Sequence, residues 1–322
     1  MQPVDRLLVY KKSQRISIGS SFMKNTKIII AVCIYYCLCF GFCFAIEDNN
    51  KQPDCTPQTW AVIVSGINKD LEEQQVKADA VFDLVYYLTE ELGLDNKHIK
   101  TLVAKDSPVA PHNTIESSLE NLKKTMAEMS ESVNNQDSFI LYYVGQANVV
   151  NKKLRFNLPG KDICHDEFAE LVDEIESEKM LIVADCPGAG LAVGTLADPN
   201  RIVIGAAGVD QPFSTTFSGY FIPAMFDPAS DFNSDGNVTV LEAFKKASIL
   251  QDEYYNTEDR VKIENPLLED DGDGIPSQNP WTYKQNGNDG KFSDTWIVAK
   301  VRENEKSSEF SGDMIYEQDY RQ

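Results

Sequence analysis

Histidine is scarce. Three occur in 322 residues, His98, His112 and His165, so any chemistry that needs an imidazole has three candidates. Cysteine is scarce where a scaffold would need it. Four of the seven (Cys33, Cys37, Cys39, Cys43) fall in residues 28–46, leaving Cys55, Cys164 and Cys186. At most one bridge can form among three thiols and one must stay free, which excludes a disulfide-framed fold. Positive charge is also short. Of 30 Lys/Arg and 50 Asp/Glu, six and one fall in residues 1–46, so the remainder carries about −25. That balance argues against nucleic-acid binding and fits cations, or an exported domain kept apart by repulsion. A solvated acidic surface with no specific partner is the plain alternative. There is no internal repeat, and only one long apolar run.

That run, residues 28–46, is uncharged and preceded by Lys24 and Lys27. It has the layout of a signal peptide, with Ala45 as the small residue before an acidic start near Glu47. Counting from Met23 gives an ordinary length, which makes residues 1–22 an upstream extension. Nineteen apolar residues can also just span a bilayer, so a single membrane anchor is the rival reading. Either way the chain is expected to leave the cytoplasm, secreted or periplasmic if cleaved. A polar linker at 47–58 and a polar tail at 303–322 bracket the folded body, 59–302.

Within the body, apolar runs alternate with helical stripes. Trp60–Gly66, Ile99–Ala104, Ser138–Val144, Leu181–Asp185 and Arg201–Gly205 read as strands. Apolar positions over Lys77–Leu92, Ile115–Met129 (with Thr114 as N-cap), Phe168–Ile175 and Phe217–Phe226 read as helices. Thr295–Val301 is a late strand candidate. The alternation predicts an α/β fold with a mostly parallel central sheet and helices on both faces. The run Leu181–Asp185 is apolar enough to be buried on both faces. It ends in Cys186-Pro187-Gly188-Ala189-Gly190, putting one thiol at the carboxyl end of a central strand, where open α/β sheets carry their ligands. A small space-filling cysteine is the alternative.

Three strand ends in this order resemble the legumain-type cysteine peptidases, relatives of the caspases. Trp60–Gly66 followed by Ala78-Asp79-Ala80 is similar to the start of that family's domain. Phe139–Gly145 with Gln146-Ala147 is similar to the strand that ends in His-Gly, and Leu181–Gly190 to the strand that ends in the nucleophile. The resemblance implies a caspase-like sandwich and Cys/His endopeptidase chemistry on a peptide or protein substrate. It puts Cys186 at the nucleophile position, Gln146 at the dyad histidine, Ala147 where a backbone N–H meets the oxyanion, and Gln75 at the basic residue that binds an acidic substrate side chain. Glutamine does not titrate, so it can neither activate a thiol nor protonate a leaving amine. A thiol without such a base is expected to keep roughly its ordinary pKa. Of the histidines, His165 starts a helix at the edge where strands end, so it is the one the topology can bring toward Cys186. A histidine merely near a helix N-terminus is the alternative.

Asp231-Phe-Asn233-Ser-Asp235-Gly236-Asn237-Val-Thr239-Val-Leu-Glu242 matches the EF-hand calcium loop at every position the pattern fixes. Asp231, Asn233, Asp235, the Asn237 carbonyl, Thr239 and Glu242 are the candidate ligands. An Asx-rich turn capping a helix is the alternative. Glu269–Gly274 is a second, incomplete acidic loop. Both stretches resemble insertions in bacterial members of the family. Two function classes follow: a catalytically impaired secreted cysteine endopeptidase, and a non-catalytic, calcium-stabilised peptide- or protein-binding relative. A dockerin-like docking module is a third, although dockerins pair two loops and only one is complete here.

Overall fold

The computed structural model describes residues 56–68, 70–105, 107, 114–257, 260–282 and 289–301. The leader at 1–46, nearly all of the linker, Cys55, His112 and the tail at 303–322 lie outside them. The chain divides into Met1–Thr56 and Pro57–Gln322, and every element below belongs to the second unit.

Strand β1, Thr59–Ser65, explains the sandwich by itself. Ala61 and Ile63 pack into one apolar cluster and Val62 and Val64 into another. A strand apolar at both parities must be covered on both faces. It pairs in parallel with β2 (Ile99–Val103) on one side and β4 (Ser138–Val144) on the other. With β3 (Ile115–Glu116), β8 (Lys179–Asp185), β9 (Arg201–Gly205) and β11 (Leu267–Glu269) the order is β11-β9-β8-β4-β1-β2-β3. Only β11 runs antiparallel, against β9. The expected α/β fold with a mostly parallel sheet is the observed one.

Helix α1, Leu71–Tyr86, starts where Asp70 accepts the Glu73 N–H at 2.9 Å, and acidic Glu72 and Glu73 occupy its positive end. Its stripe of Ala80, Val81 and Leu84 joins α5 (Phe217–Ala224) and α6 (Val240–Thr257) on one face. The other face is covered by α2 (Leu119–Ser132), α3 (His165–Asp173) and α4 (Gly190–Leu196). One expected boundary moves. Ile115 lies in β3, paired with Leu102, and Ser118 rather than Thr114 caps α2, accepting the Asn121 N–H at 3.2 Å. Ser118 satisfies an orphan donor at a point where Ile115, β-branched and apolar, is still adding to the sheet edge.

The sequence reading foresaw no element between Gln146 and α3. A small antiparallel sheet is there: β5 (Ala147–Val150), β6 (Lys153–Phe156) and β7 (Ile163–Cys164). Its first turn is Asn151-Lys152, both with positive φ (54° and 63°). Two left-handed residues match the strand twist, but Asn-Lys lacks the glycine that usually advertises such a hairpin. A second pair, β10 (Asn237–Thr239) with β12 (Ile297–Lys300), holds the end of the acidic loop. Among the described residues no helix is long and apolar enough to cross a membrane.

Candidate functional site

Strands β4 and β8 are neighbours, with Val144 opposite Asp185, and the Gly145 N–H donates to the Asp185 carbonyl at 3.1 Å. Gln146 and Cys186 therefore leave the sheet side by side at its carboxyl edge. The turn after Cys186 needs Gly188, whose φ is +66°. A Cβ there would meet Val149 of β5 at 3.2 Å and Leu154 of β6 at 3.5 Å, so the hairpin lies directly over the turn. The 207–211 loop closes the remaining side, its Gln211 and Ala207 carbonyls accepting the Gly188 and Gly190 N–H groups at 2.9 and 2.8 Å.

Cys186 is consequently buried completely, 0% exposed, in the same apolar cluster as Ala147, Leu154 and Phe156. The expectation of an ordinary thiol is corrected. Burial, seconded by the neighbouring Asp185 charge, pushes the Cys186 thiol far above its usual pKa, and Lys77 offsets only part of this. The cause is the hairpin over the turn, which the sequence reading missed.

Gln146 is half-buried and its side chain is committed. Its Nε2 donates to Glu73 Oε1 and to Ser214 Oγ at 2.8 Å. Its carbonyl accepts from the Tyr143 hydroxyl at 2.7 Å and the Asn157 N–H at 3.0 Å. Ala147 is buried as the first residue of β5, opposite Phe156. Gln75 donates to Asp79 one turn along its own helix, at 2.8 Å. The α1 residue that meets Gln146 is Glu73, a carboxylate where an acidic substrate would need a cation.

Neither described histidine bonds to Cys186. His98 sits where β2 begins, its ring 4.1 Å from Trp60 at the start of β1, the opposite sheet edge. His165 does start α3, yet its Nδ1 meets Thr195 Oγ1 at 3.1 Å and its Nε2 lies 3.6 Å from Asp166. Burial, outweighing the attraction of Asp166, lowers its pKa and favours the neutral ring.

The group that does reach Asp185, the residue before Cys186, is Lys77. It is 2% exposed, and its Nζ donates to Asp185 Oδ2 at 3.1 Å, to the Thr215 carbonyl at 2.7 Å and to Thr215 Oγ1 at 3.1 Å. Asp185 Oδ2 also accepts from the Ser218 N–H at 3.0 Å and from its hydroxyl, which contacts Tyr142 at 2.9 Å. Burial works to raise the Asp185 pKa, but Lys77 and the Ser218 and Thr215 hydroxyls hold it below the ordinary carboxylate value. The sequence carried a signal for this pair. Lys77 stands four residues before Val81 and seven before Leu84, on the apolar stripe of α1, where a lysine is either paired or out of place.

The surface around this edge is apolar. Ile67, Val149, Val209 and Phe213 are each 43–55% exposed. Ile67 receives the Gln146 N–H on its carbonyl, Val149 and Val209 flank Gly188, and Phe213 precedes Ser214.

The acidic loop is held by its own hydrogen bonds and starts a helix. Asp231 accepts the Asp235 and Gly236 N–H groups at 3.1 and 3.0 Å, and Asn233 accepts the Asp235 N–H at 2.8 Å. Glu242 reaches back over the loop, Oε1 to the Phe232 and Asn233 N–H groups at 3.0 and 3.3 Å. Its Oε2 takes the Thr239 N–H at 3.0 Å while Thr239 Oγ1 accepts the Glu242 N–H at 3.2 Å, a capping box that starts α6. Gly236 has φ +88°, the left-handed residue the sharp turn requires. The Asn237 side chain bonds Asp235 at 3.0 Å. Asp231, Asn233, Asp235, Thr239 and Glu242 thus share one loop, their oxygens accepting hydrogen bonds within it.

No protein-family model matches the sequence, and no curated protein matches it.

Proposed function

We propose that this chain is an exported pseudopeptidase of the legumain/caspase-like kind, which binds a peptide or protein segment at the carboxyl edge of its sheet instead of cleaving it. The observation that carries this reading is the state of Cys186: it is fully buried, its thiol is pushed toward the neutral form, and the neighbouring dyad position holds a non-titrating glutamine tied to Glu73 and Ser214. A positioned general base contributes roughly 10²–10⁴-fold to such a reaction, and a buried thiol adds the need to open the site first. The exposed Ile67, Val149, Val209 and Phe213 give the same edge an apolar surface suited to the side chains of an extended segment. Wild type and Cys186→Ala should both leave a casein and peptide library uncut, while Phe213→Asp should weaken capture from a displayed peptide library about tenfold or more. Cleavage by wild type that disappears in Cys186→Ala overturns the proposal in favour of an active peptidase. The apolar run at 28–46 supports export, and the N-terminal sequence of the exported chain distinguishes cleavage near Ala45 from an anchor.

Calcium belongs to this proposal as a stabiliser of the 231–242 loop, held by Asp231, Asn233, Asp235, the Asn237 carbonyl, Thr239 and Glu242. A cation bound only by the folded state adds RT ln(1 + [L]/Kd), about 2.7 kcal/mol at a hundredfold excess, or roughly 5–10 °C in a domain of this size. The drop in Tm on chelation should be larger by about that amount in wild type than in Asp235→Asn. Glu242→Ala is the wrong probe, because losing the capping box costs about 1 kcal/mol with or without metal. Equal melting curves of wild type in calcium and in chelator dispose of the idea.

A further inference from the structure

We propose that the turn after β11 is a second divalent-cation site, formed by Glu269, Asp271 and Asp273, independent of the 231–242 loop. Each of the three offers a carboxylate oxygen within 4.8 Å of the other two. Acidic clusters are common, and the distances alone would mean little. What points to a ligand is the state of Glu269. It is 0% exposed; one oxygen accepts the Gly272 N–H at 2.7 Å and the Gly274 N–H at 3.3 Å, while the other is buried with no donor at all. Leaving a buried carboxylate oxygen unpartnered costs on the order of 1–3 kcal/mol or more. Close by, Asp289 is 2% exposed and repeats the pattern, one oxygen on the Asp270 N–H at 3.1 Å and the other buried without a partner. Among the described residues neither Glu269 nor Asp289 has an ion-pair partner.

The turn is shaped rather than merely acidic. Gly272 and Gly274 have φ +80° and +76°, and a Cβ on Gly272 would strike the Pro199 nitrogen at 2.8 Å. The chain is thereby folded tightly on itself, with Asp271 and Asp273 each spending one oxygen on the backbone, accepting the Asp273 and Ile275 N–H groups at 3.1 and 2.7 Å. Asp270 is not among the ligands. Both its oxygens are used, on Gly290 N–H at 2.8 Å and Ser293 N–H at 2.6 Å, pinning the 289–293 segment beneath the turn. Exposure rises from buried Glu269 through half-buried Asp271 to exposed Asp273, which leaves a way in for an ion. An all-oxygen, carboxylate-rich donor set selects a hard divalent ion of the calcium class.

The test is calcium binding to the exported chain by flow dialysis and isothermal titration. Wild type should bind two ions per chain. Asp273→Asn, exposed and still able to accept the Ile275 N–H, should leave one, or weaken the second at least tenfold. Asp231→Asn/Asp235→Asn should also leave one, and combining the three substitutions should leave none. Two ions retained by Asp273→Asn, or no ion bound by the Asp231→Asn/Asp235→Asn chain, overturns the second site. Loss of binding confined to the Asp231→Asn/Asp235→Asn variant upholds the first loop and sinks this one.

Discussion

Asp185→Ala is expected to destabilise the domain by about 3–5 kcal/mol, because it leaves the Lys77 ammonium buried without its counter-charge. Lys77→Met should cost a comparable amount by stranding the carboxylate. The pair's net worth is a separate matter. Replacing both partners with apolar residues of similar volume is often neutral, so Lys77→Met/Asp185→Leu should recover much of the loss, short of the hydrogen bonds from Ser218. The pH dependence has a definite sign. The folded-state pKa of Asp185 is depressed, so its contribution is fully present above the unfolded value near 3.9 and is lost as pH falls through the lowered folded value. Urea unfolding of wild type and Asp185→Asn between pH 6 and 2 measures this. Wild type should lose stability on acidification that the variant lacks, and superimposable acid limbs would remove Asp185 as the cause.

Cys186 should resist iodoacetamide in the native chain by roughly 10³-fold or more relative to the urea-unfolded chain. Its thiol is 0% exposed beneath β5, β6 and the 207–211 loop, so labelling must wait for an opening. If that opening approaches global unfolding, at about 5 kcal/mol or above, the reactive fraction is smaller than one in a thousand. The upward shift of the thiol pKa suppresses the thiolate further. For the same reason Gln146→His should not restore cleavage by itself, since the new imidazole would face a covered thiol. Native-state labelling of Cys186 at the unfolded rate, followed by mass spectrometry, would show the site open and return Cys186 to candidacy as a nucleophile. Ile67→Ala should leave the protection unchanged, since Ile67 is exposed and lies outside the apolar cluster that holds Cys186.

Much of the frame was legible because it depends on local pattern. Four-residue apolar runs such as Ala61–Val64 and Leu181–Ala184 have to be buried on both faces, and helical stripes between them force parallel crossovers. That was enough to put Gln146 and Cys186 on adjacent strands at one edge, and the register of Val144 with Asp185 agrees. The turn at Gly236 and the cap at Thr239 were legible for the same reason, since both are specified within a few consecutive residues. The capping of α2 was misplaced by four residues because Thr114 and Ser118 are both competent caps, and only the pairing of Ile115 with Leu102 separates them.

What the tertiary structure alone decided are the contacts between residues far apart in the chain. Whether Cys186 is a surface nucleophile or a sealed thiol depends on the β5–β6 hairpin about thirty residues upstream, closed by an Asn-Lys turn with no glycine to announce it. The partner of Asp185 lies 108 residues away on α1, and Gln146 meets Glu73 rather than Gln75 because helix rotation, not sequence spacing, aims the side chains of the first turn. The buried, donorless oxygen of Glu269 is likewise invisible in the string Glu-Asp-Asp-Gly-Asp-Gly. Sequence determined which groups stand at the edge of the sheet; desolvation, which sets what a thiol or a carboxylate can do there, is a property of everything that packs over them.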